Sequence, residues 1–244
     1  MRKGLLKRAV INSSVAACLV FLGGEIYGRV LSLKYGDEME EMVRDVREKQ
    51  KGLMNLQSFG EPKMTFNPVF GIFGRKRFPR GSYSHFFDMM WVNRNDADKE
   101  GVVAHETGHE YHSKVTQNLG LRNNLYKNVL SNFTITREIV SEGIAEYFEA
   151  ILKSNTRSPV MSSERLEKKS LKDYEKEFKH PNCYYEVGFR LVKPILDVNV
   201  DRGIEALARN PLTEKDLEDL ISYQQRVLRI VEQNSSKVKI TTKP

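Results

Sequence analysis

The stretch "GVVAHETGHEYH", from Gly101 to His112, contains three of the five histidines in this 244-residue chain. Apolar residues precede the first histidine, and an aspartate of "NRNDAD" can cap a helix that runs from about Lys99 to Asn118. His105 and His109 are four positions apart, so on that helix they lie on one face, about one turn from each other. The stretch therefore predicts a helix that presents two imidazole rings to a common point.

Glu106 follows the first histidine directly, which completes the pattern H-E-x-x-H. Zinc binds imidazole nitrogens at about 2.0–2.1 Å, and two histidines with this spacing can share one ion. Glu106 projects beside such an ion and not toward it, where it can hold a metal-bound water as the general base. The pattern predicts a zinc site with His105 and His109 as metal ligands and Glu106 as a catalytic residue.

A zinc site of this kind needs a third protein ligand. His112 lies on the same stripe, but a rigid helix places it about 10 Å along the axis from His105. We therefore expect His112 beside the ligands or the substrate and not on the metal. The favoured third ligand is Glu142, in "SEGIAEYFE" on a second predicted helix, while His85 and His180 remain alternatives without a framing motif.

The stretch "HETGH", followed further along the chain by "SEGIAEYFE", resembles the active site of the gluzincins. These are H-E-x-x-H zinc metallopeptidases of the zincin type, with thermolysin-like and aminopeptidase-like members. The resemblance covers about residues 90–155 and implies a zinc ion bound by His105, His109 and Glu142. It also implies that Glu146 hydrogen-bonds and orients the first histidine. The chain departs from the family pattern, because Ser141 stands where asparagine is usual and Glu146 where aspartate is usual.

The activity that this resemblance implies is zinc-dependent hydrolysis of a peptide or protein substrate. A zinc-bound water, activated by Glu106, would attack the carbonyl, and the oxyanion would need a donor besides the metal. Tyr185 in "HPNCYYEVGF" is the favoured donor, with His180 and Tyr184 as alternatives. Gly188 would let this third predicted helix approach the zinc helix closely. The segment "FFDMMWVN" is expected to form an edge strand that pairs with an extended substrate.

Two other interpretations stay open. In the first, the protein is a non-hydrolytic zinc-binding or interaction module, and Glu106 does not act as a base. In the second, the motif is accidental and the chain binds a membrane surface or a nucleic acid through its net charge of +7. Acidic residues are mixed with the basic ones nearly throughout, and neither an RNP-type motif nor zinc-finger spacing is present. We therefore expect no nucleic-acid partner.

The expected fold class is α+β and zincin-like, with a small antiparallel sheet packed on the active-site helix, further helices and an N-terminal apolar helix. The expected organisation is an N-terminal signal-like or anchor-like helix (residues 1–30), a zincin-like metallopeptidase domain (31–233) and a polar tail (234–244). A charged helix is expected to end at Gly52, and Thr213 is expected to cap the last long helix.

The N-terminal segment has the outline of a signal or anchor, because basic residues precede an apolar run from Ala9 to Gly24. The run is shorter than the roughly 20 residues of a spanning helix. It favours a membrane-anchored or exported protein, and the alternative is an ordinary helix of a cytoplasmic protein. Cys18 lies in the apolar N-terminal stretch and Cys183 near a predicted helix start, so we expect no disulfide framework.

Overall fold

The computed structural model describes residues 38, 40–56, 63–65, 80–84, 89–92, 96–121, 135–155, 165–178 and 183–241. In chain order the elements are α1 (residues 40–54), β1 (Lys63–Thr65), β2 (Gly81–Ser84), β3 (Met89–Val92), α2 (Lys99–Asn118), α3 (Ile135–Asn155), α4 (Leu171–Phe178), α5 (Cys183–Leu196), α6 (Val200–Arg209), a 3₁₀ helix (Glu214–Glu218) and α7 (Leu220–Thr241). The predicted signal or anchor segment lies outside these residues, as do Cys18, His85 and His180. None of the described helices combines the length and the apolar character needed to cross a bilayer.

The expected α+β, zincin-like fold class is wrong, because the described chain is mostly helical. Its strands are only three or four residues long. They lie in the order β1-β3-β2, with β3 parallel to β1 and antiparallel to β2, so the sheet is not purely antiparallel either. Prolines and glycines between short apolar runs from Gly60 to Asn95 predict strands, but most apolar positions elsewhere repeat with the period of a helix.

The strand that was expected to receive substrate at a sheet edge occupies the centre of the sheet. Strand β3 is paired along Met89–Trp91 with β1 and along its whole length with β2. Its backbone groups therefore serve these two pairings, and the predicted addition of a peptide to this strand is wrong. Pairing order depends on contacts between distant segments, which the alternation of side chains within one strand does not reveal.

Two predicted helix limits also change in the structure. The charged helix α1 passes Gly52 and ends at residue 54, followed by Asn55 with a left-handed φ of 52°. Thr213 caps the short 3₁₀ helix and not the long helix, and it forms a capping box with Asp216. A separate helix, α7, then begins at Leu220.

Helix α2, which carries the histidine motif, is covered on two sides. Asp98 caps it by accepting a hydrogen bond from the backbone nitrogen of Gly101 at 3.0 Å. On one side its apolar residues share a core with α1 and the sheet: Val43, Val46, Tyr83, Met90, Val92, Val102, Val103 and Ala104. On the other side it packs against α3. The motif is therefore held on a central helix, which limits how its side chains can move.

Helix α3 lies between α2 and α5, with glycines at both crossings. A Cβ on Gly108 of α2 would lie 2.7 Å from the Cα of Ala145. A Cβ on Gly188 of α5 would lie 2.2 Å from the carbonyl oxygen of Ile139, and one on Gly143 would lie 2.4 Å from the backbone of Gly188. The expectation that Gly188 brings its helix against the zinc helix is therefore wrong, since it meets α3 instead.

Most of the remaining core joins α3 to the helices that follow it. Its fully buried members come from α3, α5, α6 and α7: Ile139, Ile144, Phe148, Val187, Leu191, Val192, Ile195, Ile204, Leu220, Tyr223 and Val227. Burying such side chains is the main favourable term in folding. This core holds α3 rigidly in place, and with it the side chains of α3 that face α2.

Replacing Gly143 with alanine should lower the free energy of unfolding by about 1–3 kcal/mol, because the new methyl group would overlap the backbone of α5. Urea unfolding followed by circular dichroism measures this change. Gly52→Ala is the matched control, since Gly52 is also helical and a Cβ there would have nothing within 4 Å. The control should be neutral or should gain up to about 1 kcal/mol. Equal effects of the two changes would contradict the close crossing.

Candidate metal centre

Helices α2 and α3 bring His105, His109 and Glu142 together. The Nε2 atoms of His105 and His109 lie 3.2 Å and 3.4 Å from the same oxygen, Oε2 of Glu142. The two imidazole rings are 5.1 Å apart between centroids and inclined by 78°. One ligand atom from each of the three residues lies within 4.8 Å of the others, so this group could hold a metal ion.

The helix crossing explains why these three residues meet. Gly108 lies between the two histidines in sequence and contacts Ala145 of α3. Glu142 is three positions before Ala145, which places it on the same face of α3, beside the histidines. A larger residue at Gly108 would push α3 away and with it the carboxylate.

The second nitrogen of each imidazole also faces an oxygen from α3. His109 Nδ1 lies 3.0 Å from Ser141 Oγ. His105 Nδ1 lies 3.4 Å from Glu146 Oε1 and 3.4 Å from Glu149 Oε2. Such partners fix the tautomer and the direction of a metal-binding imidazole, so the Nε2 atom of each ring could bind an ion here.

Two of these partners were not expected from the sequence. Ser141 was noted only as a departure from the family pattern, yet its hydroxyl contacts His109. Glu149 was not assigned at all, although Glu142, Glu146 and Glu149 follow the i, i+4, i+7 spacing of one helix face. That spacing was the available signal for a third carboxylate at the site.

A second group, His105 with Glu146 and Glu149, also has the donor spacing of a cation site. This group shares its only imidazole with the first group. Glu149 is, moreover, already in contact with the ammonium of Lys153. Because a positive charge already neutralises Glu149, the group with two imidazoles is the better place for a metal ion.

Glu106 is buried next to these residues, with 5% of its surface exposed. Its Oε2 atom has no hydrogen-bond partner among the described residues. Burial raises the pKa of Glu106, while the nearby charges of His109 and His105 act in the opposite direction. A buried carboxylate oxygen without a partner costs free energy, so its position beside three potential ligands fits a group that acts on a bound molecule.

The electrostatics of His105 and Glu142 show what a cation would have to displace. Burial by itself would lower the pKa of His105, but hydrogen bonds to Glu142 and Glu149 and the charges of Glu106 and Glu146 raise it to about 10. Burial would raise the pKa of Glu142, but its contacts with both histidines lower it to about 2. These contacts favour a proton on His105 beside an ionised Glu142, and a metal ion bound between them would compete with that proton.

His112 lies near His109, and Tyr185 lies near His105. Burial, with smaller effects from the charges of His109 and Arg137, lowers the pKa of His112 to about 3, so its ring is neutral. His112 does not belong to either group of potential ligands among the described residues. The ring of Tyr185, from the start of α5, lies 6.3 Å from the His105 ring between centroids. Tyr185 therefore reaches the site although its helix packs on α3.

Helix α1 supports the site through a buried glutamine that no sequence pattern singled out. The Gln50 side chain donates to the carbonyl oxygens of Ala104 at 3.1 Å and Phe148 at 3.4 Å. It also accepts a hydrogen bond from the hydroxyl of Thr107 at 2.7 Å. One side chain thus joins α1 to both α2 and α3, the two helices of the candidate metal centre.

Comparison of the chain with protein-family models, with curated proteins and with solved structures found no match. The function of the centre must therefore be inferred from its own residues. Their geometry provides two imidazoles, one shared carboxylate oxygen and a buried carboxylate beside them.

Proposed function

We propose that this chain is a zinc-dependent peptidase in which His105, His109 and Glu142 hold the metal and Glu106 is the general base. The observation that carries the proposal is the convergence of two Nε2 atoms on Glu142 Oε2. The resemblance of "HETGH" and "SEGIAEYFE" to gluzincins supports the same assignment.

The donor set fits zinc better than a hard cation. Zinc accepts imidazole nitrogen and carboxylate oxygen, and catalytic zinc sites have three protein ligands and an open position. Magnesium and calcium prefer oxygen ligands alone. The oxygen partners of His105 Nδ1 and His109 Nδ1 are those expected around zinc-binding imidazoles.

A bound zinc ion would supply Lewis-acid polarisation of the scissile carbonyl and a lowered pKa for a coordinated water. Glu106 would accept a proton from the attacking water and deliver it to the departing amine. Its burial suits that exchange, because burial raises the pKa of Glu106 above that of an ordinary carboxylate and so makes it a stronger base.

Tyr185 is the proposed donor to the oxyanion. Its ring lies beside that of His105. Tyr185 belongs to α5, which packs on the side of α3 opposite to α2. A tyrosine hydroxyl can donate one hydrogen bond to an oxygen that gains charge in the transition state. Tyr185 would therefore act on the substrate, whereas the neutral and half-buried His112 would support the neighbouring ligand His109.

The test is a measurement of metal content and hydrolysis on the full chain. We expect the purified protein to bind a single zinc ion and to cleave an unfolded protein such as casein. A chelator should stop the cleavage, and added zinc should restore it. Zinc binding without cleavage across a diverse peptide mixture would favour the non-hydrolytic interpretation, and a protein that binds no metal would overturn the proposal.

A further inference from the structure

Lys153 connects the N-terminal end of α2 with α3, the two helices of the candidate metal centre. Its ammonium contacts the Glu149 carboxylate and lies 2.6 Å from Asp98 Oδ2. Glu149 in turn lies 3.4 Å from His105 Nδ1. Asp98 is the residue that caps α2, the helix on which His105 stands. The contacts therefore form a closed path that starts and ends on α2 and passes through α3.

The Lys153–Glu149 end of this path is shielded from water, whereas Asp98 at the other end is 41% exposed. The side chains of Lys153 and Glu149 are 17% and 9% exposed. Charged pairs in such positions are screened less than surface pairs and hold a more definite geometry. Arg80 is a second cation at Asp98. Its guanidinium donates to the backbone carbonyl oxygen and to a carboxylate oxygen of Asp98, each at 3.4 Å.

The chain has a glycine where this arrangement needs space. A Cβ on Gly101 would lie 2.4 Å from Asp98 Oδ2 and 2.7 Å from the Lys153 Cε atom. Any other residue at this position would push apart the two groups that Lys153 joins. Gly101 therefore gives a way to disturb the bridge without removing a charged group.

Resting on the proposed function, we propose that Lys153 is a positioning residue of the metal centre, which acts through Glu149 on the direction of the His105 ring. An imidazole that binds a metal through Nε2 needs a fixed acceptor at Nδ1. Three other carboxylates, those of Glu106, Glu142 and Glu146, surround the same ring and act on it electrostatically. Lys153 supplies the opposite charge that keeps Glu149 in place among them, and its tie to Asp98 fixes the position of Glu149 relative to α2.

Lys153→Met in the full chain tests this role, because methionine keeps most of the side-chain volume and removes the charge. We expect zinc affinity to fall by about 10-fold, the lower end of the range for direct partners of metal ligands, because Lys153 acts through one such partner. At saturating cobalt(II), the visible absorption spectrum of the variant should differ from that of the wild type, since the geometry of the ligands changes. Lys153→Arg should recover most of the affinity.

Gly101→Ala provides an independent test from the other end of the bridge. Alanine favours a helix over glycine, which offsets part of the capping energy that α2 loses when Asp98 moves. We nevertheless expect it to weaken zinc binding and to alter the cobalt spectrum, because its methyl group displaces Asp98 and Lys153.

Lys114→Met is the matched control. Lys114 contacts Glu110 with the same i, i+4 spacing, and its side chain is 22% exposed. Removing it should change the melting temperature but should not change zinc affinity or the cobalt spectrum. If Lys114→Met weakens zinc binding as much as Lys153→Met does, the effect is one of general stability and the proposal is wrong.

Unchanged zinc affinity and an unchanged cobalt spectrum in both Lys153→Met and Gly101→Ala would also overturn the proposal. The result is separable from that of the proposed function. A wild-type protein that binds zinc without cleaving peptides loses the peptidase assignment, while the metal affinities of these variants still decide the role of Lys153.

Discussion

Glu106→Gln should abolish peptide hydrolysis while the protein keeps its zinc ion. Glutamine has nearly the same shape as glutamate but cannot accept the proton of the attacking water. Positioned general acid–base groups typically contribute about 10²- to 10⁴-fold to the rate, so we expect kcat to fall by at least about 100-fold. Glu106 is not among the potential ligands, and the metal content of the variant should match that of the wild type.

The folded state should tolerate this change. Glu106 Oε2 has no hydrogen-bond partner among the described residues, so an amide there removes a buried charge without breaking a contact at that atom. Glu100→Gln is the control, since Glu100 lies on the same helix and its side chain is exposed. The control should keep full activity. Turnover by Glu106→Gln at the wild-type rate would refute the mechanism.

Glu142→Ala should lose zinc far more completely than His112→Ala. Glu142 Oε2 is the oxygen on which both imidazoles converge, and its removal leaves two ligands in place of three. We expect an affinity loss of more than about 100-fold, beyond the range for residues that only contact a ligand. His112 does not belong to the group, so its removal should cost no more than that range, about 10- to 100-fold.

Competition with a chromophoric zinc chelator measures both affinities on the same scale. Circular dichroism of each variant should show the wild-type helix content, because α3 is held by the buried residues on its other faces. If His112→Ala lost zinc and Glu142→Ala kept it, the third ligand would be wrongly assigned. The two histidines of the motif would then need a different partner.

Much of the candidate site could be predicted because its pattern is local. His105 and His109 are separated by one turn of a single helix, and the period of the helix alone places them side by side. The cap at Asp98 and the helix that follows it depend on residues within one turn of each other. The same local pattern places Glu142 and Glu146 on one face of α3.

The fold class could not be predicted in the same way. Prolines, glycines and short apolar runs indicated a sheet between Gly60 and Asn95, but the described strands in this segment are short and one pairing is parallel. Whether β3 lies at an edge or in the centre depends on which distant segments pair with it. Side-chain alternation in one strand is the same in both cases.

The sequence by itself determined which side chains could bind a metal on α2, because helical spacing and ligand chemistry are properties of neighbouring residues. Only the tertiary structure decided which residues meet them. The close contact of Gly108 with Ala145 brings Glu142 to the two imidazoles, and the contact of Gly188 with Gly143 places Tyr185 beside them. The contacts of Gln50 with Ala104 and of Lys153 with Asp98 complete the support by joining segments that are far apart in sequence. Such contacts depend on how whole helices pack against each other, and packing is a property of surfaces that form only when the chain folds.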